Sequence, residues 1–443
     1  MVDKKLNSKK IIPILDSNKG ISRIVNKCIK CGRCYQVCTE NVGIHYDIDK
    51  VKEPICLSCG QCLINCPVGA IVPKYCYKKV MDFINDTDKV VICFTAPAVR
   101  VALGEEFNTT SQNVEKKMVS ALKEIGFNYV FDATFGADLT VIEEASELIE
   151  RIQNNDRLPQ FSSCCPSWVK YMEIYHPNLT KYLSTCKSPI CMQSAIIKSY
   201  FSEMMEIPKE DIITVAVTPC TAKKLETSKD ENTDFCLTTS EVAMMIRELE
   251  INFNNLEGQD FDSIMGLGSG AGVIFGNSGG VTEAIIRTVY KFLTNNSIDK
   301  KLLEFTTFRG YDNIKEASIE INGQKYNLLV VHGLTNIEGY LKELEKNKTL
   351  KYHFIEVMNC PGGCVGGAGQ PVSVISKKQE IIEKRIKALY DEDNNLTIRN
   401  SYDNSDVIDV YKSYLSHPLS DKAIKLLHTN YTDQSSILRD ESL

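Results

Sequence analysis

The sequence lacks the features that would place it in a membrane or on a nucleic acid. No apolar run approaches the roughly 18 residues that span a bilayer. The longest, Val90 to Val99, is interrupted by Thr95 and Pro97. The N-terminal lysines are followed by no apolar export segment and no arginine pair, which gives the expectation of a cytoplasmic protein without a membrane partner. Positive charge is in deficit: 51 Lys and Arg stand against 57 Asp and Glu, a net charge of −6, and this removes the electrostatic case for nucleic acid. The first thirty residues are the exception, with Lys4, Lys5, Lys9, Lys10, Lys19, Arg23, Lys27 and Lys30 against Asp3 and Asp16. Such a stretch is either a solvated tail or a patch that steers an acidic electron carrier. Histidine is scarce and scattered: His45, His176, His332, His353, His417 and His428 share no cysteine cluster, which argues against zinc sites of mixed Cys/His type.

Cysteine, by contrast, is abundant. Of 18, eight lie between Cys28 and Cys66 and two more at Cys360 and Cys364. Clustering in a long chain points to metal rather than to a disulfide scaffold. The runs Cys28–Cys31–Cys34–Cys38 and Cys56–Cys59–Cys62–Cys66–Pro67 repeat the C-x2-C-x2-C-x3-C-P pattern, in which the fourth cysteine of each run ligates the other cluster. One [4Fe–4S] cubane is therefore assigned to Cys28, Cys31, Cys34 and Cys66, the second to Cys56, Cys59, Cys62 and Cys38. Thr39 replaces the usual proline of the first run without altering the thiol spacing. These residues resemble a two-cluster ferredoxin domain.

From about residue 85 the pattern alternates between strand and helix. Strands are expected at Lys89 to Phe94, Tyr129 to Phe135, Asp211 to Val217, near 314–320 and 325–332, and at Tyr352 to Val357. Helices are expected at Val114 to Ile125, from an Asp138 cap to Asn154, and near 240–250, 281–295 and 335–346. This is α/β architecture, with mostly parallel sheets flanked by helices and sites at the carboxyl ends of strands. Gly266 to Gly272 looks like a dinucleotide fingerprint but lacks the preceding strand and the downstream acid. The expected division is a tail at 1–24, an α+β ferredoxin-like domain at 25–84, a two-lobed catalytic domain at 85–371 and a helical wrapping segment at 372–443, with helices at Ile381 to Tyr390 and Val407 to Leu415.

Three strand ends carry the remaining chemistry. One holds adjacent Cys164 and Cys165, a second Cys220 with Lys223 and Glu226, the third Cys360 and Cys364 in the glycine-rich Glu356 to Pro371. Adjacent cysteines point apart, so one of the first pair, with Cys220, Cys360 and Cys364, would supply four thiolates to a further cubane and leave one thiol free. The segments SCCPSW, PCTAKKLE and EVMNCPGGCVGGAGQP resemble, in order and spacing, the three signature motifs of the [FeFe]-hydrogenases, and the likeness runs from about residue 25 to 420.

That resemblance implies an H-cluster, a [4Fe–4S] cubane joined to a diiron unit with CO, cyanide and a bridging dithiolate amine. It implies Cys165, Cys220, Cys360 and Cys364 as cubane ligands, Cys364 bridging to the diiron unit, and Cys164 as the proton-donating thiol. Lys223 would hydrogen-bond a cyanide, a role for which a charged donor is suited. Met358, Ala96, Pro97, Ser188, Phe275 and Gly276 would line the pocket, with Thr218 and Glu226 beside it. The resemblance also implies a relay through Ser184, Glu147 and Glu144, with Arg151 near its surface end. Helical spacing alone makes Glu144, Glu147 and Arg151 neighbours, which is equally an acidic face with an ion pair. Thr218 and Ile190 depart from the methionine and glutamine of well-studied members. Cys186 and Cys191 near the pocket, with Cys76, Cys93 and Cys236, read as buried thiols.

The expected function is reversible interconversion of H2 with two protons and two electrons. Electrons would pass through the two ferredoxin-like cubanes to a soluble ferredoxin or flavodoxin, and separate maturation enzymes would install the diiron unit. Two other readings share the motifs: a hydrogen-sensing relative with slow turnover, and an iron–sulfur protein of cluster delivery that lacks the diiron unit.

Overall fold

Continuous apolar strands set the architecture. Val90–Thr95 (β3) and Ile212–Thr218 (β6) are buried along almost their whole length, as the centre of a parallel sheet covered on both faces requires. The computed structural model describes residues 11–44, 53–109, 113–298, 306–346, 351–372 and 375–438. Within it β3 and β6 are flanked by Tyr129–Asp132 (β4) and Phe235–Thr238 (β7) in a four-stranded, fully parallel sheet of order β4-β3-β6-β7. A second sheet has the order β5-β10-β9-β8, from Gln160–Phe161 (β5), Ile314–Ile321 (β8), Gln324–His332 (β9) and Phe354–Met358 (β10). Its first three strands are parallel, and only the β8–β9 hairpin is antiparallel. Asn322 and Gly323 form that hairpin's two-residue turn, both at positive φ (51° and 78°), the turn that Asn-Gly favours. The α/β reading with parallel sheets flanked by helices holds.

The helix Thr134–Asn154 belongs to both sheets. Ala137, Val141, Ala145 and Leu148 pack with Leu328, Val330 and Phe354 of the second sheet. Phe135, Leu139 and Ile142 pack with Ile92, Phe94 and Phe131 of the first. A helix packed on two sides keeps most of its acids from water: Asp138, Glu143, Glu144 and Glu147 are buried, and Glu150 is exposed. The expected Asp138 cap is corrected here: the helix starts at Thr134 and Asp138 is fully buried within it. Its carboxylate accepts hydrogen bonds from Ser269 N (2.9 Å), Ser401 Oγ (2.7 Å) and Asn404 Nδ2 (2.8 Å). Asp138 thus ties the Gly266–Gly272 loop to the C-terminal segment, a structural use for a stretch that only resembles a nucleotide loop.

The segment expected as a tail also reads differently. Residues 1–10 lie outside the described residues, but 11–24 are folded. Ile21–Arg23 (β1) pairs antiparallel with Ile71–Pro73 (β2), and Arg23 Nη2 donates to Ile12 O at 2.6 Å. Ile12, Ile21, Val42, Ile44, Leu57 and Leu63 share one hydrophobic core with Phe161, Trp168, Leu329 and Val357. The expected boundary near residue 84 is a change of chemistry, not a gap between cores.

The C-terminal helix Lys378–Asn395 is held by buried ion pairs. Arg385 donates to Glu105 at 2.6 Å and 2.8 Å, and Asp393 receives Arg287 at 2.9 Å and Arg399 at 2.6 Å. Arg100, 1% exposed, reaches Asp132 at 2.5 Å and Glu392 at 2.9 Å and also pairs with Glu115. Removing one partner of a buried pair strands the others in low dielectric. Arg100→Met is expected to cost about 3 kcal/mol of stability, visible as a lower denaturant midpoint, whereas Lys384→Met at the exposed Lys384–Glu380 pair should change it little.

Candidate metal centre

Parallel strands deliver their following loops to the same side of a sheet, and here the two sheets present those ends to each other. Ala96 and Pro97 follow β3, Thr218 ends β6 with Cys220 two residues on, Cys164 and Cys165 follow β5, and Cys360 and Cys364 follow β10. All line one buried cavity of about 80 Å³, together with Lys223, Phe275, Gly276, Met358 and Ile190. Gly363, at φ 95°, lets the last loop in: a Cβ there would stand 2.4 Å from Ser278 N.

The donor set tests whether a metal group fits. Burial pushes the Cys360 thiol far up, and the charges of Cys220, Cys165 and Cys364 push it further. Burial does the same to Cys220, up to about 11 with Cys165 adding to it, and raises Cys165 and Cys364 as well. Four mutually repelling sulfurs in one dry cavity are stable as thiolates only around a group of positive metal ions, so the residues fit an iron–sulfur group. Among the described residues no three of His, Cys, Asp and Glu are arranged to hold a single metal ion. Ligands to separate irons of a cluster are, by contrast, held apart by the cluster itself.

Lys223 is buried beside these sulfurs. Burial works against its charge, but Glu226 and the neighbouring thiols outweigh that and keep it protonated. Its Nζ donates to Glu226 Oε2 (2.7 Å) and to Cys164 O (3.1 Å). Ser188 is a correction: it does not line the cavity, and Glu226 lies beside it, as expected. The Ser188 hydroxyl donates to Glu226 Oε2 at 2.9 Å, so both brace Lys223 from behind and open on a separate cavity of about 190 Å³. Thr218 does line the site, but its hydroxyl accepts from Cys220 N (3.3 Å) and lies 3.4 Å from Cys236 Sγ. The thiols of Cys93, Cys186 and Cys191 are buried and raised far above their ordinary range by that burial, and Cys76 is half-buried and raised less.

The relay residues meet on the long helix. Ser184 Oγ donates to Glu147 Oε2 at 2.7 Å, and Arg151 Nη2 donates to Glu147 Oε1 at 2.7 Å. Glu144 is fully buried, and neither carboxyl oxygen has a hydrogen-bond partner among the described residues. Burial, and then the charge of Glu147, push it well above the carboxylate range and favour its protonated form. Burial and then Glu144 raise the Cys164 thiol as well, keeping it an S–H. Arg151 is a correction: expected near the surface, it is 1% exposed, and its guanidinium also caps the carbonyls of Arg157, Tyr182 and Leu183.

In the N-terminal region Cys28, Cys31, Cys34 and Cys66 surround one small cavity. The Cys62 thiol is raised by burial and then by the charges of Cys59, Cys56, Cys38 and Cys34. One residue escaped the sequence reading. Gln61, between two of these cysteines, donates from Nε2 to Cys360 Sγ at 3.2 Å and so touches the catalytic thiol set directly. Gly60 before it, at φ 68°, allows the approach, since a Cβ would stand 2.3 Å from Ala368 Cβ. Only its place within the Cys59–Cys62 spacing marks Gln61 in the sequence.

Comparison with known proteins agrees with this geometry. The family described as "Iron only hydrogenase large subunit, C-terminal domain" matches residues 89–368, and "Iron hydrogenase small subunit" matches 379–434. The chain is 38% identical to the NADP-reducing hydrogenase subunit HndD of Solidesulfovibrio fructosivorans, covering 94% of this chain and 75% of that one. Iron hydrogenase 1 of Clostridium pasteurianum is 37% identical, over 94% and 76%. A cytosolic Fe-S cluster assembly factor, narfl of Danio rerio, is 28% identical over 77% and 86%. An apo variant of the [FeFe]-hydrogenase HydA1 from Chlamydomonas reinhardtii superposes with a TM-score of 0.70 at 34% identity, over 81% of this chain and 98% of that one. Cys220→Ser is expected to lower bound iron by one cubane's worth while the iron held by the first eight cysteines stays, as iron and sulfide analysis of reconstituted protein would show.

Proposed function

The chain belongs to the [FeFe]-hydrogenases, and we propose that it exchanges electrons with a small acidic carrier, a ferredoxin or flavodoxin, while interconverting H2 with protons. As a hydrogenase it is an oxidoreductase. The H-cluster, when bound, supplies the metal chemistry by which H2 is made or cleaved. Cys165, Cys220, Cys360 and Cys364 would hold it, with Cys364 toward the diiron unit, and Lys223 would place its ammonium against a cyanide while Glu226 keeps that ammonium charged. Ala96, Pro97, Phe275, Gly276 and Met358 keep water out.

Protons need their own path, because a packed interior conducts none. Cys164 holds its proton at Sγ facing the cavity, Glu144 holds one behind it, and Ser184 passes its hydroxyl proton to Glu147 over 2.7 Å. The observation that carries the reading is this conjunction: a fifth cysteine, Cys164, on the wall of the cavity that gathers the four thiols, and a fully buried carboxyl, Glu144, without a hydrogen-bond partner among the described residues.

Electrons would travel through two N-terminal [4Fe–4S] clusters, the first held by Cys28, Cys31, Cys34 and Cys66, the second by Cys38, Cys56, Cys59 and Cys62. The outer end of this path is exposed: Cys31 is solvent-facing among Val25, Lys27, Ile29, Lys30 and Arg33, an apolar and basic surface suited to an acidic partner. Diiron insertion would fall to separate maturation enzymes.

Cluster assembly, the role in the name of the Danio rerio relative, is the second reading. A carrier of cubanes has no use for a buried ammonium and a protonated thiol on one cavity wall, which favours the enzyme. Cys164→Ala is expected to lower H2 turnover by about 10²-fold or more while the infrared bands of CO and cyanide persist. Near-normal turnover in that variant would refute the relay, and a matured protein without such bands would favour assembly. Lys27→Glu with Lys30→Glu should raise KM for reduced ferredoxin several-fold and flatten its salt dependence, leaving turnover with a small dye unchanged.

A further inference from the structure

The relay's far end has an arm in the C-terminal segment. Glu147 is gripped not only by Ser184 and Arg151 but by Thr185, whose backbone N donates to Oε1 (3.2 Å) and Oε2 (3.1 Å) and whose Oγ1 donates to Oε1 at 3.1 Å. On its other side Thr185 Oγ1 lies 2.7 Å from His428 Nδ1. His428 Nε2 in turn lies 3.2 Å from Oε2 of Glu143, a fully buried acid on the same helix as Glu147. Glu143 also accepts from Tyr411 Oη (2.6 Å) and from Leu419 N (2.9 Å).

The backbone holds this chain of groups in register. Cys186 and His428 form an isolated antiparallel bridge, Thr429 N donates to Thr185 O at 2.8 Å, and Lys187 N donates to Leu427 O at 2.8 Å. Tyr431 adds a hydrogen bond from its hydroxyl to Ser184 O.

Counting protons gives the arm a function. A hydroxyl has one hydrogen, so in the arrangement where Thr185 gives it to Glu147, the Thr185–His428 contact uses a proton on Nδ1. Nε2 faces a carboxyl oxygen, and that contact needs a proton too. The imidazole and Glu143 together therefore hold one labile proton beyond a neutral imidazole and a carboxylate. Arg151, the other group on Glu147, is a guanidinium that does not deprotonate in proteins and so passes nothing on.

We propose that His428 is a proton-holding relay residue, coupled to Glu147 through the hydroxyl of Thr185. The inference rests on the proton-relay reading above. In the step toward the cavity the His428 Nδ1–H bond breaks as a Thr185 Oγ1–H bond forms. The original Thr185 Oγ1–H bond breaks as Glu147 gains a proton at Oε1, and the proton shared by Nε2 and Glu143 remains on the imidazole. H2 oxidation runs the same step backwards. The titratable and charged groups facing the imidazole are Glu143 directly, Glu147 with Arg151 across Thr185, Tyr411 through Glu143, and Cys186 beside its backbone.

The test uses the matured full-length enzyme with a dye as electron donor. His428→Gln and Thr185→Val are each expected to lower kcat about tenfold with KM for H2 within twofold. Thr185→Ser should restore the rate. The wild-type rate of H2 evolution should fall with rising pH along a limb that His428→Gln abolishes. Independently of turnover, the imidazole 15N shifts should show a proton on His428 Nδ1 in the wild type and a changed tautomer in Thr185→Val. Rates within twofold of wild type and an unchanged pH profile in both variants would overturn the proposal, as would a loss in His428→Gln without one in Thr185→Val. Should His428→Gln not fold, the Thr185→Val and Thr185→Ser pair decides alone. Cys164→Ala separates the two levels: if it too is active, the relay reading itself has failed, and if it is inactive while the arm variants are not, only the arm has.

Discussion

Sulfurs that repel one another as thiolates are gathered in a dry cavity, and the rest of the molecule follows from making that tolerable. The ligands cannot sit on one flexible loop, because a loop would relax and let them separate. They are instead anchored at the carboxyl ends of strands in two different sheets. The helix that runs between the sheets joins β4, at the edge of the first, to β5, at the edge of the second. Its burial on both sides makes Glu143, Glu144 and Glu147 internal groups; Glu143 and Glu147 have internal hydrogen-bond partners, and Glu144 has none among the described residues. Electron-accepting sulfurs and proton-holding acids are thus products of one packing arrangement.

What the sequence shows of this is uneven, for physical reasons. Cysteine spacing is legible because cluster geometry dictates it, so the eight N-terminal cysteines and those at 360 and 364 stand out without a structure. The strands β3, β6 and β10 are legible as short apolar runs. Adjacent Cys164 and Cys165 are not separable by spacing, and there the likeness to known motifs was needed. Asp138 looked like a helix cap because aspartate before an apolar periodicity usually is one; its partners at Ser269, Ser401 and Asn404 lie more than 130 residues away. Ser188 was expected on the cavity wall, but a motif gives neighbourhood and not orientation. Arg151 was expected near the relay's surface end from the resemblance, and Glu147 with three backbone carbonyls explains its burial. Gln61 carries no local signal, since its only telling contact is across 299 residues of sequence.

The C-terminal segment was read as a wrapping helix, and its ion pairs justify the description. Asp393 anchors it to Arg287, Arg385 to Glu105, and Glu392 to Arg100, in each case with at least one partner almost wholly buried. Such pairs contribute less to stability than to specifying one arrangement, because any other register strands a charge. A segment located that firmly can place a single imidazole 2.7 Å from a relay hydroxyl.

The common core of the N-terminal region and the second sheet has a consequence for how the protein handles electrons over evolutionary time. Ile12, Ile21 and Leu63 share one core with Trp168 and Val357, and Gln61 touches Cys360, so the spacing between the N-terminal cysteines and the cavity is set by interior packing. The front of the molecule is therefore not an interchangeable adaptor. Replacing the module wholesale would open the interior that holds Cys360 in place, whereas the outward face around Cys31 can change without disturbing that core.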